Sequence, residues 1–110
     1  MDEVIVTTAM EVPGAKVAKI LGVVRGNTVR ARNIGRDIGA GFKNLVGGEV
    51  KTYTDMSSHA RDESFNRMVN EAIDLGADAI IGMRFMTSMI MQGASEMLAY
   101  GTAVKLVPAR

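Results

Sequence analysis

The sequence predicts an α+β fold, an antiparallel or mixed sheet carrying two helices, one of them long. Three observations carry that prediction. A helical stretch ending at Leu75 is punctuated by glycine on both sides, Gly47-Gly48 before it and Gly76 after it. β-Branched, alternating segments stand at both ends of the chain, so helices group in the middle and strands outside. Gln92-Gly93-Ala94-Ser95 then divides the last apolar segment into a hairpin.

Each element has its own local reason. Val4-Ile5-Val6-Thr7-Thr8 is β-branched and short, a first strand, and Pro13-Gly14 marks the turn after it. From Lys16 to Thr28, the residues Val17, Ile20, Leu21, Val23 and Val24 suggest a longer strand that stops near Gly26-Asn27. Val29-Arg30-Ala31-Arg32 alternates and suits a half-buried strand end. Asn33 is a natural helix cap, and Ile34, Ile38, Phe42 and Leu45 then fall on one helical stripe. Gly35, Gly39 and Gly41 lie inside that first helix, each costing about 1 kcal/mol against alanine, which points to close packing on another backbone.

Thr52 and Asp55 have capping-box spacing, with Asp in place of the usual Glu or Gln, so the second helix is expected to begin near Thr54. It runs to Leu75, about 30 Å at 1.5 Å per residue, with Phe65, Met68, Val69, Ala72 and Leu75 on one face. Ala79 to Met91 reads as a strand or strand pair, and Glu96 to Val107 as the last strand.

Composition bounds the rest. At 110 residues the chain is one domain, residues 1–110. Hydrophobic residues make up 47% and aromatics only 5%, so the core must be built from aliphatics, alanine and methionine. The absence of cysteine excludes disulfides, thiolate metal sites and thiol catalysis, and fits a reducing compartment. Met1-Asp2-Glu3-Val4 is acidic, so no secretory signal is expected, and no apolar run approaches the roughly 20 residues of a membrane span. A net charge of +1 gives no global attraction to nucleic acid or membrane. These features predict a cytoplasmic protein.

Asp55, His59 and Glu63 sit four residues apart, a helical spacing that sets an imidazole beside carboxylates and could chelate a divalent metal ion. The same row continues through Arg67 and Glu71 as alternating charge on a solvated face. One histidine cannot complete a tetrahedral site alone, although repeated copies could each contribute one. Met83, Met86, Met89 and Met91 crowd one segment, where thioether could favour a soft ion but core filler is the plainer role. Alternation would place Met83, Met89 and Met91 on one side and Met86 on the other.

Arg61 falls near the middle of the apolar helix face, between Phe65, Met68, Ser57 and Ser64. A guanidinium there needs a partner, either an ion pair such as Asp37 or an anionic ligand. Arg25, Arg30, Arg32 and Arg36 form a basic stretch without interleaved aromatics, which reads as a solvated edge and not a nucleic-acid surface. No nucleophile–base motif surrounds His59, so an enzyme is not expected.

Several phrases together resemble the YbjQ-like family, small proteins of unassigned function described as heavy-metal-binding candidates. They are Gly22-Val23-Val24-Arg25-Gly26, Arg36-Asp37, Val46-Gly47-Gly48, Tyr53, Ala60-Arg61, Leu75-Gly76-Ala77-Asp78-Ala79-Ile80-Ile81-Gly82 and Gly101-Thr102-Ala103-Val104. The resemblance implies an α+β subunit in a ring-shaped homopentamer. It also places Arg36, Asp37, Tyr53 and Arg61 among the polar positions of the family pattern, as candidate ligand-binding or intersubunit residues. The expected function is binding of a metal ion or small ligand by an oligomer, with an anion or small-metabolite site around Arg36 and Arg61 as the alternative. An unrecognised enzyme with an intersubunit site is a further alternative.

Overall fold

A computed structural model describes residues 3–31 and 50–109, with backbone only for residues 31 and 50–57. The elements are β1 (Ile5–Val6), β2 (Ala15–Ala31), α1 (Val50–Asp74), β3 (Ala79–Met91) and β4 (Ala94–Pro108). Four strands form one sheet in the order β1-β3-β4-β2. β1 pairs parallel to β3, while β3–β4 and β4–β2 are antiparallel, so the sheet is mixed. The expected first helix, around residues 33–46, lies outside the described residues. Among the described residues there is one helix.

β2 absorbs both segments expected between Lys16 and Arg32 into a single strand of 17 residues. Gly26-Asn27 does not interrupt it, because Gly26 is where the helix lies directly on the sheet. A Cβ at Gly26 would collide with the Ser64 carbonyl oxygen and the Met68 amide nitrogen, and would lie 2.6 Å from the Arg67 Cβ. The glycine that looked like a strand end is a docking point for α1.

The helix starts one turn earlier than its capping-box spacing suggests, at Val50, and no glycine or proline between them stops it. Its end matches the expectation. Gly76 adopts φ +78°, its N–H donates to the Ile73 carbonyl (2.9 Å), and the Ala77 N–H donates to the Ala72 carbonyl (3.0 Å). This is a Schellman closure, which satisfies carbonyls that the helix leaves unpaired. It turns the chain directly into β3.

α1 lies across β2 and β4 and barely touches β3. Its buried row is Ala60, Ser64, Met68 and Ala72, set against Val24, Ile80, Met83, Ala99 and Ala103. The small side chains in this row let the helix approach the sheet closely. On the opposite face Ala79, Ile81 and Val104 form a second cluster, covered by Val12 and Leu106. Beyond that cluster the face is bare among the described residues: Ile20, Val23, Val29, Met86 and Met91 are all more than half exposed.

Two bulges set the faces of β3. One lies between Ile81 and Arg84, where Gly82 takes φ +61°, and the second between Met89 and Met91. The second corrects the expected methionine alignment. Met89 pairs with Ser95 and Met91 with Ala94, so these two methionines stand on opposite faces.

Candidate functional site

The outer face of α1 meets the end of β2 in an open cleft of about 550 Å³, lined by Arg30, His59, Asp62, Glu63 and Asn66. The four helix residues fall at i, i+3, i+4 and i+7, one stripe of the helix. Arg30 comes up from β2 on the same sheet face as Val24, Gly26 and Thr28, by the two-residue alternation of a strand. The buried Thr28 hydroxyl donates to the Ala60 carbonyl (3.1 Å) and sets the height of the helix above this part of the strand.

Glu63 is the electrostatic centre of the cleft. Its Oε1 accepts from Arg30 Nη2 at 2.6 Å and its Oε2 from Arg67 Nη2 at 2.8 Å. Arg67 Nη1 in turn donates to the Asn27 carbonyl at 2.6 Å. One turn further on, the Arg25 backbone N–H donates to Glu71 Oε1 at 2.8 Å. Because β2 is an edge strand, Arg67 and Glu71 satisfy backbone groups that would otherwise face outward, unpaired. The charged row on α1 is therefore a set of clamps on the strand edge.

The structure brings His59 and Glu63 to one cleft, with His59 exposed. Asp55 and Tyr53 lie in α1, with side chains outside the described residues, and Arg36 and Asp37 lie outside them altogether. Among the described residues no group of three His, Cys, Asp or Glu side chains is placed to hold a metal ion. Among the described residues the donor set does not fit a heavy metal: both oxygens of Glu63, which shares the cleft with His59, are engaged by guanidinium groups.

The expected burial of Arg61 is corrected. Arg61 is exposed, and among the described residues only its carbonyl is engaged, accepting from the Ser64 hydroxyl at 3.0 Å.

Asp78 was legible only as part of a family phrase, yet both its carboxylate oxygens are anchored. Its Oδ2 accepts from the Leu106 N–H at 2.8 Å and its Oδ1 from Lys105 Nζ at 3.3 Å. The Leu106 N–H holds its carboxyl below the ordinary carboxylate value; burial pushes the other way, and Lys105 lowers it further. Lys105 Nζ also donates to the Gly76 carbonyl at 3.0 Å, tying the helix end to β4. A second groove of about 850 Å³ opens beside this lock, between Val4-Ile5, Ile73 and Leu106. Its Asp78 and Lys105 are already paired with each other.

No helix among the described residues is long and apolar enough to cross a membrane. The YbjQ family model, described as "Putative heavy-metal-binding", matches residues 4–107. A UPF0145 protein of Methanoculleus marisnigri is 64% identical over 104 residues, covering 94% of this chain and 97% of that one. Those of Archaeoglobus fulgidus and Shewanella frigidimarina are 60% and 56% identical, covering 94% and 96% of this chain and 96% and 99% of theirs. Among solved structures, a DUF74-family protein of unknown function from Pediococcus pentosaceus superposes with a TM-score of 0.64. It covers 94% of this chain and 98% of its own, and at 18% identity it shows the shared fold. Matched along nearly its whole length, the chain belongs to the YbjQ family.

Proposed function

We propose that this protein is a non-enzymatic binding subunit of a homo-oligomeric ring, a pentamer, acting in the cytoplasm. The observation that carries the reading is the bare apolar sheet face, where Ile20, Val23 and Val29 of β2 lie 54–69% exposed. The molecule measures 60 × 23 × 23 Å, with a radius of gyration of 17.9 Å. A compact chain of this length would have about 13 Å. Among the described residues nothing covers that face, and sister copies would. Ring closure leaves no open end and gives every copy the same seam. The family resemblance supports five copies.

The ligand reading that follows is a small anion or anionic metabolite held at the seams by guanidinium groups, Arg61 and Arg36. The exposure of Arg61 supports it, because the charge is presented outward instead of being used up in the core. The absence of cysteine and of any catalytic motif around His59 supports a binding role in a reducing compartment. Sedimentation velocity at micromolar concentration, with native mass spectrometry, should return a closed oligomer. A well-folded single subunit would refute the assembly. Thermal-shift screening with phosphate and di- and tricarboxylates should find a stabilising anion whose effect is lost in Arg61→Met. If that variant keeps the response and is no less stable, the arginine is incidental.

A further inference from the structure

We infer that the heavy-metal role in the family's description is not carried by this chain, and that Glu63 is a structural counter-ion pinning α1 to the edge of β2. Thiophilic and borderline ions such as Cd²⁺, Zn²⁺ and Cu⁺ are held by thiolate, imidazole or thioether groups. The chain has no cysteine and a single histidine. The remaining routes are a histidine–carboxylate site and a methionine site, and among the described residues the geometry opposes both.

On the first route, His59 has Asp62 and Glu63 at helical spacing. A cation bridging His59 and Glu63 would sit against Arg30 Nη2 and Arg67 Nη2, which occupy the two oxygens at 2.6 and 2.8 Å. Binding would displace both guanidiniums from their counter-ion and then hold a divalent charge beside them. It would also release Arg67, which bonds the Asn27 carbonyl of the strand edge. Symmetric copies do not relieve this, because every His59 arrives with its own Arg30 and Arg67.

On the second route, the strand register scatters the sulfurs. Met83 is buried in the core. Met89 stands opposite Ser95 on the helix side, while Met86 opposite Leu98 and Met91 opposite Ala94 stand on the other, separated by Ser88. The thioethers of β3 therefore do not converge on one point. This inference is independent of the assembly reading, which sedimentation tests by itself.

The experiment uses the full chain in its native assembly, stripped with chelator. It is then dialysed in turn against excess Zn²⁺, Cd²⁺ and Cu⁺, the last with reductant. Metal per chain is counted by mass spectrometry of the element after gel filtration. The expected result is less than a tenth of an equivalent for each ion, unchanged in His59→Ala. Stoichiometric retention of any of the three overturns the inference, whether or not His59→Ala abolishes it. The counter-ion role is read on metal-free protein. Glu63→Gln should lower the thermal midpoint by a few degrees at low salt, with the difference shrinking as salt rises. An unchanged midpoint removes that role.

Discussion

Gly26 and Asp78 are the two positions where one atom more or one charge less should be felt most. At Gly26 a methyl group has no room, because rigid helix backbone meets the strand there. Gly26→Ala should therefore destabilise by about 3 kcal/mol, the upper part of the range for overpacking, as read from urea denaturation. A loss below about 0.5 kcal/mol would mean the helix stands off the sheet. Asp78 answers to pH. Its folded pKa lies below the ordinary 3.8, so its stabilisation is full above that value and is lost as pH falls through the folded pKa. The stability gap between the native protein and Asp78→Asn should stay constant from neutral pH to about 5 and narrow below 3.8. A gap that persists unchanged at the acid end would show that the carboxylate charge is not what Leu106 and Lys105 hold.

Among the elements, the pairing of α1 with β2 was the least legible from the sequence. Strand periodicity, the Gly76 stop and the hairpin near Gln92-Gly93 were all readable, because each depends on residues close together in the chain. Glu71 and Arg25 are far apart in sequence, as are Glu63 and Arg30, and nothing local announces either contact. The charge alternation along α1 read as a solvated face, and it is solvated. What the pattern could not show is that one side of that face overlaps the strand edge. The exposure of Arg61 was not readable either: a helical wheel gives the angle of a side chain but not how far the sheet extends beneath it. The bulges in β3 likewise depend on the opposing strand, so simple alternation misassigned Met91. The clamps are testable. Glu71→Ala should cost about 1 kcal/mol, the net worth of one hydrogen bond, in urea denaturation. Combined with Arg67→Ala, it should raise light scattering on prolonged incubation as the edge opens. No added scattering would show that the edge is protected some other way.

For the whole molecule, length and exposed apolar surface make the same demand. β2 alone, with 17 residues, is long enough to account for most of the 60 Å dimension, and α1 shields only one side of it. The family resemblance carried the ring in the sequence reading, and the face left bare among the described residues gives the proposed assembly a physical motive. Val23→Asp separates the two cases. In an isolated subunit the residue is 69% exposed and the change should alter stability by less than about 0.5 kcal/mol. In a ring that buries this face, the same aspartate should split the assembly into smaller species by sedimentation velocity. An intact oligomer carrying the aspartate would mean that the copies meet elsewhere.

The guarding of β2 also gives the sheet a direction of growth. Helix side chains close the hem near Arg25 and Asn27, while the run from Ala15 to Val23 has no such stitching among the described residues. An incoming strand could zip onto that open length and would be halted where Glu71 stands. The guard thus fixes how far such a strand could pair along β2, and with it the register of the join.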